Sequence, residues 1–509
     1  MKKTPVMIAG TALLTLALCG GCAAMPPVQP GAGATAYAPA PWPDAPTASQ
    51  ETYDDATESP FVDVLTSPLS TFASDVDTAS YSNLRRQLTQ GVRPQGVRIE
   101  ELVNYFDYHY PAPVPGAAAP FTVTTQVADC PWAPGHQLAM IGVQATRAIP
   151  TSLGNNIVFL IDVSGSMSAA NKLPLVRQSF NLLIDTLGES DVVSIVTYAG
   201  SNQTVADSVP GSEHDKLHRI VDALRPGGST GGAAGLAAAY ALASKNFIEG
   251  GNNRVILATD GDFNVGPSSD AEMKAMIEQA RNTGVFITVL GFGTGNLKDS
   301  KMETIADYGN GNYAYIDTLA EARKVLVNEF NATMFVVAQD LKLQVEFNGA
   351  TVAQYRLIGY DNRRLADADF ANDAKDAGDV GAGHSVTAFY ELVPADGTAE
   401  PTHGTYGTTT YGDSTDFFTV SVRYKAPGGT QSILFQTPAT AAAYTTAPSA
   451  DFRFAAAVAE FGLLVTGSQY AGDASLGSVS TRASAALGDD PYGLRGEFLE
   501  LVDLYSRMG

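Results

Sequence analysis

The feature that most constrains the fold is a fully apolar run, Ile157 to Ile161, which opens a region where short apolar runs alternate with amphipathic helical patterns. A strand that is apolar at every position is buried on both faces, as the strands of parallel sheets are. Similar runs follow at 192–196, 255–258, 285–290 and 312–316. Because helical patterns separate these strands, the sequence predicts an α/β domain with a doubly wound, mostly parallel sheet.

The segments around this domain have other patterns, and 509 residues are too many for one core. Residues 59–118 combine a strand pattern with two helical patterns, which predicts a small α+β region. Residues 336–509 show alternating strand patterns and then helices, which predicts a β-sandwich-like region with terminal helices. Strands at 119–150 are expected to pair with that region, so that the α/β domain, 151–335, is inserted between the flanks.

The N-terminus has the pattern of an exported protein. Lys2 and Lys3 precede an apolar stretch that is too short to span a bilayer, which is typical of a secretory signal peptide. Its end, Gly20-Gly21-Cys22, resembles the lipobox of bacterial lipoproteins, although Cys19 stands where that family usually has Leu. The resemblance implies that residues 1–22 form a lipoprotein signal peptide, which is cleaved just before Cys22, and that Cys22 is lipidated. The alternative is ordinary cleavage after Ala23 or Ala24, with a freely secreted product.

Residues 23–58 are rich in Pro, Ala, Gly and Thr without apolar periodicity, which predicts a disordered tether. With Cys22 lipidated, we expect the protein to be attached to a membrane of the cell envelope. Ala23 after the cysteine resembles outer-membrane sorting, on the periplasmic or surface side.

Composition excludes some classes of protein. The formal net charge is −22 and no basic cluster is present, so we expect no nucleic-acid partner. With 3 cysteines, of which Cys19 and Cys22 belong to the signal region, a disulfide framework is excluded. Cys130 is expected to be a buried, inert thiol.

Oxygen-bearing side chains follow two of the apolar strands. Asp162, Ser164 and Ser166 come directly after 157–161, and Asp260 comes after 255–258. Ligands of open α/β sheets bind at the carboxyl ends of the strands, so these side chains are placed where a site is expected. A glycine-rich loop, 227–232, adds the hydroxyl of Thr230 at the start of a helix. Carboxylates and hydroxyls are hard oxygen ligands that suit Mg²⁺, Ca²⁺ or Mn²⁺.

This set of motifs resembles the metal-ion-dependent adhesion site of von Willebrand factor type A domains. The resemblance implies direct or water-mediated ligation of a metal ion by five residues: Asp162, Ser164, Ser166, Thr230 and Asp260. It also implies one open coordination position for an Asp or Glu carboxylate of a protein partner. Because the donors carry few charges, we expect Mg²⁺, with Ca²⁺ or Mn²⁺ as substitutes.

The flanks are similar to those of bacterial lipoproteins that contain this domain. Ser70-Thr71-Phe72 and the segment 98–106 resemble their N-terminal region, and the segments 355–360 and 381–388 resemble their C-terminal region. The resemblance implies a metal-dependent, protein-binding module of the bacterial cell envelope, with no enzymatic activity. Two alternatives stay open: a metal-dependent hydrolase with Asp262 as the general base, and an envelope scaffold with an unused metal site.

Several weaker patterns point to other chemistry. Residues 227–231 match G-x-S-x-G, but no strand precedes the serine, as a nucleophile elbow requires. His214 and His218 have a zinc-like spacing without the glutamate base, so we expect a solvated helix face. The calcium-loop pattern that begins at Asp260 has Ala271 in its twelfth position and fails. Asp75 and Asp77 could hold a second cation, but Asp77 or Thr78 is expected to cap a helix.

Overall fold

The computed structural model describes residues 51–508, except 52, 54–56, 75, 115, 148–153, 230, 262–269, 331–333, 376, 397–402, 405–406 and 409–413. The strands within these ranges are β1 (Val62–Asp63), β2 (Leu69–Ala73), β3 (Phe121–Asp129), β4 (Gln137–Ala145), β5 (Asn155–Asp162), β6 (Val192–Tyr198), β7 (Asn202–Pro210), β8 (Asn252–Thr259), β9 (Val285–Phe292), β10 (Tyr313–Ile316), β11 (Val336–Phe347), β12 (Val352–Ile358), β13 (Arg364–Leu365), β14 (Val380–Gly381), β15 (Ser385–Pro394), β16 (His403–Gly404), β17 (Gly407–Thr408), β18 (Phe418–Lys425) and β19 (Ser432–Ala439). The α-helices are α1 (Ala79–Thr89), α2 (Ile99–Asn104), α3 (Leu173–Ile184), α4 (His214–Asp222), α5 (Gly232–Lys245), α6 (Asp270–Asn282), α7 (Asp299–Tyr308), α8 (Leu319–Arg323), α9 (Ala450–Thr466), α10 (Leu476–Ser484) and α11 (Leu494–Ser506). Among the residues described, no helix is both long enough and apolar enough to cross a bilayer.

The central domain is a doubly wound sheet with the strand order β10-β9-β8-β5-β6-β7. All neighbouring strands are parallel except β6 and β7. Alternate residues of β5 enter two cores: Phe159 packs with α3 and α4, and Leu160 packs with α5 on the opposite face. A continuous apolar strand is needed because both faces are covered by helices. The predicted α/β fold class is therefore confirmed.

The β-rich flanks form two antiparallel sheets that share one apolar core. One sheet has the order β1-β12-β15-β4-β3, and the other has the order β13-β2-β11-β18-β19. Aromatic side chains of the two sheets meet between them; the ring of Phe72 lies 6.4 Å from that of Tyr390, and Phe121 lies 4.9 Å from Tyr424. The arrangement is a β-sandwich, as predicted for the C-terminal region.

Segments from before and after the α/β domain are interleaved in this sandwich. β3 and β4 pair with each other, and β4 pairs with β15. The strand β2 lies beside β11, and β1 lies beside β12. The N-terminal helices α1 and α2 bury Leu84, Leu88 and Leu102 in a core shared with α9, α10 and α11. Residues 59–118 thus contribute to structures completed by the end of the chain.

The start of α1 corrects one prediction. Thr78 is the N-cap residue, but its side chain makes no capping hydrogen bond. Asp77 accepts a hydrogen bond from the backbone amide of Tyr313 at 2.8 Å and pairs with Arg363 at 3.4 Å. The first-turn amide of Ser80 donates instead to Glu101, at 2.8 Å. Thr78 thus occupies the expected N-cap position, but the correction is that Glu101, distant in sequence, binds a first-turn amide in place of the Thr78 side chain. Asp75 lies outside the described residues.

Candidate metal site

Asp162 ends β5, a strand in the interior of the parallel sheet, and its side chain is buried. Its Oδ1 atom accepts a hydrogen bond from the backbone amide of Ser164 at 2.8 Å. Its Oδ2 atom is buried and has no hydrogen-bond partner among the described residues. An uncompensated buried carboxylate oxygen is costly, so this atom is suited to a cation.

The electrostatics of Asp162 agree with that geometry. Burial raises the pKa of this carboxyl group to about 6, and the negative charge of Asp260 adds to the rise. The backbone amide and hydroxyl of Ser164 and the nearby phenol of Tyr198 act in the opposite direction, lowering this pKa. Ionisation of the buried Asp162 side chain therefore costs free energy, and a nearby positive charge would reduce that cost.

The two serines of the motif lie in the turn that follows β5. Ser164 precedes a short 3₁₀ helix, Gly165–Ser168, and is buried, whereas Ser166 is exposed. Their hydroxyl oxygens are 2.9 Å apart. The turn therefore places two hydroxyls together beside the buried carboxylate, with one of them open to solvent.

The second carboxylate is delivered by the neighbouring strand. Asp260 follows β8, is buried, and accepts a hydrogen bond from the ammonium group of Lys172 at 2.8 Å. The same ammonium group lies 3.1 Å from Oδ1 of Asn296. Burial raises the pKa of Asp260, but Lys172, Ser166 and Asn296 together lower it below its ordinary value. Asp260 is therefore ionised, and Ser166 links it to the Asp162 motif.

The glycine-rich loop is attached to the same turn by backbone hydrogen bonds. The amide of Gly165 donates to the carbonyl of Gly228 at 3.1 Å, and the amide of Gly227 donates to the carbonyl of Val163 at 2.7 Å. Gly228 has φ +85°, a conformation that glycine adopts without strain. Thr230 lies outside the described residues, as do Cys22 and Asp262, so the roles of these three stay predictions.

Of the predicted metal ligands, the structure thus brings together Asp162, Ser164, Ser166 and Asp260. The sequence reasoning missed Lys172, which donates to Asp260, and Asn296, which accepts from the same ammonium group and helps to lower the pKa of Asp260. No local pattern marks these two residues, because only the folded sheet brings them to Asp260. Two carboxylates beside hydroxyls, with one ammonium group offsetting part of the charge, form a donor set that fits a hard divalent cation.

The weaker candidate sites have ordinary structural partners. His218 lies 3.1 Å from Asp185, and His214 lies 2.9 Å from the carbonyl of Leu187. Within the described ranges, no group of three or more His, Cys, Asp and Glu side chains is placed to hold a metal ion. Cys130 is buried, as predicted, and burial raises the pKa of its thiol to about 12.

Comparisons with known proteins agree with this architecture. The family model of the von Willebrand factor type A domain matches residues 156–329, and a model described as von Willebrand factor matches 47–140. A model described as the C-terminal region of the uncharacterized protein YfbK matches 332–508. The resemblance to type A domains inferred from the sequence is therefore confirmed.

Among curated proteins, the chain is 41% identical over 473 residues to uncharacterized protein YfbK of Escherichia coli (strain K12), covering 90% of this chain and 81% of that protein. It is 26% identical over 197 residues to inter-alpha-trypsin inhibitor heavy chain H3 of Homo sapiens, covering 37% of this chain and only 22% of that protein. A solved structure, von Willebrand factor type A from Catenulispora acidiphila, matches with 15% identity and a TM-score of 0.40, covering 87% of this chain and 91% of that one.

Proposed function

Because the chain belongs to the YfbK family and carries a von Willebrand factor type A domain, a family that often mediates protein–protein interaction, we propose that it binds a protein partner through a divalent metal ion. The observation that carries this proposal is the buried Oδ2 atom of Asp162, which has no hydrogen-bond partner in the described part of the chain. It lies in one cluster with the hydroxyls of Ser164 and Ser166 and the carboxylate of Asp260.

Mg²⁺ is the proposed ion, with Ca²⁺ or Mn²⁺ as substitutes. Asp162, Ser164, Ser166, Thr230 and Asp260 would hold it, directly or through water. Mg²⁺ requires oxygen donors and usually keeps several waters, which suits a site with two carboxylates. When bound, the ion supplies a positive charge that can accept one further oxygen ligand.

The proposed ligand from the partner is an Asp or Glu carboxylate. Ser166 is exposed, so the hydroxyl side of the cluster is open to solvent. The chain has a formal net charge of −22, and an approaching carboxylate is repelled unless a cation is present. The metal would therefore determine when the partner binds.

Metal binding can be measured by calorimetry with Mg²⁺ on the wild-type chain and on Asp162→Asn. We expect the substitution to weaken Mg²⁺ binding by at least tenfold, about 1.4 kcal/mol, because it removes the charge of the buried ligand. Asp215→Asn is the matched control, since it removes one charge from an exposed position on α4. Equal Mg²⁺ affinities in all three proteins would refute the metal site.

Partner binding needs a separate experiment. Wild type, Asp260→Asn and Thr230→Ala would each capture proteins from envelope extract in Mg²⁺ and in EDTA. We expect a partner that is retained by wild type in Mg²⁺ and lost in EDTA and in both variants. If the same partner is captured under every condition, its recognition does not use the metal.

We also propose that Cys22 is lipidated and attaches the protein to a membrane of the cell envelope. The support is the signal-peptide pattern and Gly20-Gly21 before this cysteine. Cys22→Ser should move the protein from the membrane fraction to the soluble fraction and remove the added lipid mass. Cys19→Ser, which changes the neighbouring cysteine, should leave both unchanged. Retention of Cys22→Ser in membranes at the wild-type mass would show that this anchor is not used.

A further inference from the structure

Arg254 is a buried cation that forms no ion pair with a carboxylate among the residues that the structure describes. It lies near the start of β8 and its side chain is 1% exposed. Its Nη1 atom donates to the hydroxyl of Thr288 at 2.9 Å, and its guanidinium lies 5.7 Å from the ring centre of Phe286. Its Nε atom is buried with no hydrogen-bond partner in the described part of the chain.

The positive charges of other buried arginines of this chain are balanced by carboxylates. Arg356 pairs with Glu391 at 2.8 Å, Arg98 with Asp299 at 3.1 Å, and Arg85 with Glu321 at 2.7 Å. Burial lowers the pKa of Arg254 to about 10, and the negative charge of Asp379 opposes this shift only in part. A buried, unpaired guanidinium costs several kcal/mol, so a negative ligand at this position would be stabilising.

Arg254 lines a cavity of about 350 Å³ between the amino end of the parallel sheet and the β-sandwich. The cavity is also lined by Arg363, Arg364 and Lys375, with Asp307 and Asp379 as the acidic residues. Arg363 is engaged by Asp77, Glu303 and Asp307. Arg364 and Lys375 are exposed and therefore stand toward solvent. The cavity thus combines an uncompensated buried cation with two cations nearer the surface.

We propose that this cavity binds the oxyanion group, phosphate or carboxylate, of a small molecule, with Arg254 as the buried ligand. The planar guanidinium offers donors in a fork that matches both groups. In a chain with a net charge of −22, non-specific attraction would not bring an anion here. The cavity lies at the opposite edge of the sheet from Asp162, so this proposal is independent of the metal site.

The test is calorimetric titration of the full chain with inorganic phosphate and, separately, with acetate, in EDTA at constant ionic strength. EDTA excludes phosphate bound to a metal at Asp162. We expect at least one of the two anions, phosphate or acetate, to bind saturably with one anion per chain. The anion that binds with the higher affinity identifies the chemical group that the cavity recognises. Arg254→Met should weaken binding by at least about tenfold, whereas Arg219→Met, which removes an exposed guanidinium of α4, should not change it.

Two further variants keep the test decisive if Arg254→Met does not fold. Arg364→Gln and Lys375→Gln alter exposed positions and should preserve the fold, yet each should weaken binding by about two- to fivefold. The absence of saturable binding in wild type, or equal binding in wild type and all of the cavity variants, would overturn the proposal.

Discussion

The backbone conformation and the close neighbours of residue 359 require a glycine at that position. Its φ is +73°, and a Cβ atom there would lie 2.4 Å from Oε2 of Glu100 and 2.8 Å from the Glu100 backbone nitrogen. Glu100 is buried, and burial together with the charge of Glu101 raises its pKa to about 7. A side chain at Gly359 would therefore press on both the backbone and a buried carboxyl group.

Alanine substitutions at two glycines separate the cost of backbone strain from the cost of steric contact with neighbouring atoms. Gly428 has nearly the same φ, +72°, with nothing within 4 Å of its added Cβ atom. Gly428→Ala should lose about 1–2 kcal/mol of unfolding free energy from backbone strain alone. Gly359→Ala should lose about 1–3 kcal/mol more, because neighbours must also move. Urea unfolding measures both, and equal losses would mean that the contact with Glu100 is relieved without cost.

At this scale, the sequence located part of the candidate site. Asp162, Ser164, Ser166 and Asp260 could be found because they lie at or just after the end of a recognisable strand. Lys172 and Asn296 could not, because they reach Asp260 from positions 88 and 36 residues away in the chain. Local patterns encode strand ends, whereas contacts between distant segments depend on the completed fold.

Among the elements, α9 is a largely buried helix that carries a buried acid. Glu460 is fully buried and is paired with Arg482 of α10. It also accepts a hydrogen bond from the amide of Ser475 at 3.2 Å. This carboxylate therefore joins α9 to the start and the body of the next helix.

Removing Arg482 should be more harmful than removing the whole pair. We expect Arg482→Met to lower the unfolding free energy by about 3 kcal/mol, because Glu460 is left buried without its counter-charge. The double variant Glu460→Gln, Arg482→Met should recover part of this loss. Arg507→Met is the control, since it breaks an exposed pair with Asp503 worth about 0.3–0.5 kcal/mol. Equal losses in the two arginine variants would contradict a structural role for the buried pair.

The elements that could be predicted from the sequence are mainly those that are buried. The strands β5, β6, β8, β9 and β10 were predicted because continuous apolar runs mark them. The edge strand β7 was not, because most of its residues are exposed and the ladder with β6 supports it. The short helices α7 and α10 were also missed. Only two residues of α10 are buried, and the buried residues of α7 include the acidic Asp299 and Glu303, which interrupt its apolar pattern.

For the whole molecule, Arg85 connects three parts of the chain. Its guanidinium pairs with Asp317 and Glu321, which follow β10, and with Glu497 of α11 at 2.9 Å. It also donates to the hydroxyl of Tyr105 at 3.1 Å. The type A domain is thereby tied to both the N-terminal and the C-terminal helices.

Arg85→Met should weaken this connection more than it weakens either part. We expect the wild-type chain to unfold in one calorimetric transition, and the variant to show a separate, earlier transition because three carboxylates lose their shared cation. Arg219→Met, at an exposed position of α4, should keep the single transition. A variant that still unfolds in one transition at the wild-type temperature would show that the domains are held together elsewhere.

The way the type A domain is inserted also has a mechanical consequence. The chain enters it after β4 and leaves it before β11, and each of these strands is hydrogen-bonded to neighbours on both sides within its own sheet. A partner that pulls on the domain along the strands would load two interior strands in shear, with many perpendicular hydrogen bonds sharing the force. An edge strand would instead be peeled away one bond at a time. The sandwich is thus built to resist tension that reaches it through the type A domain.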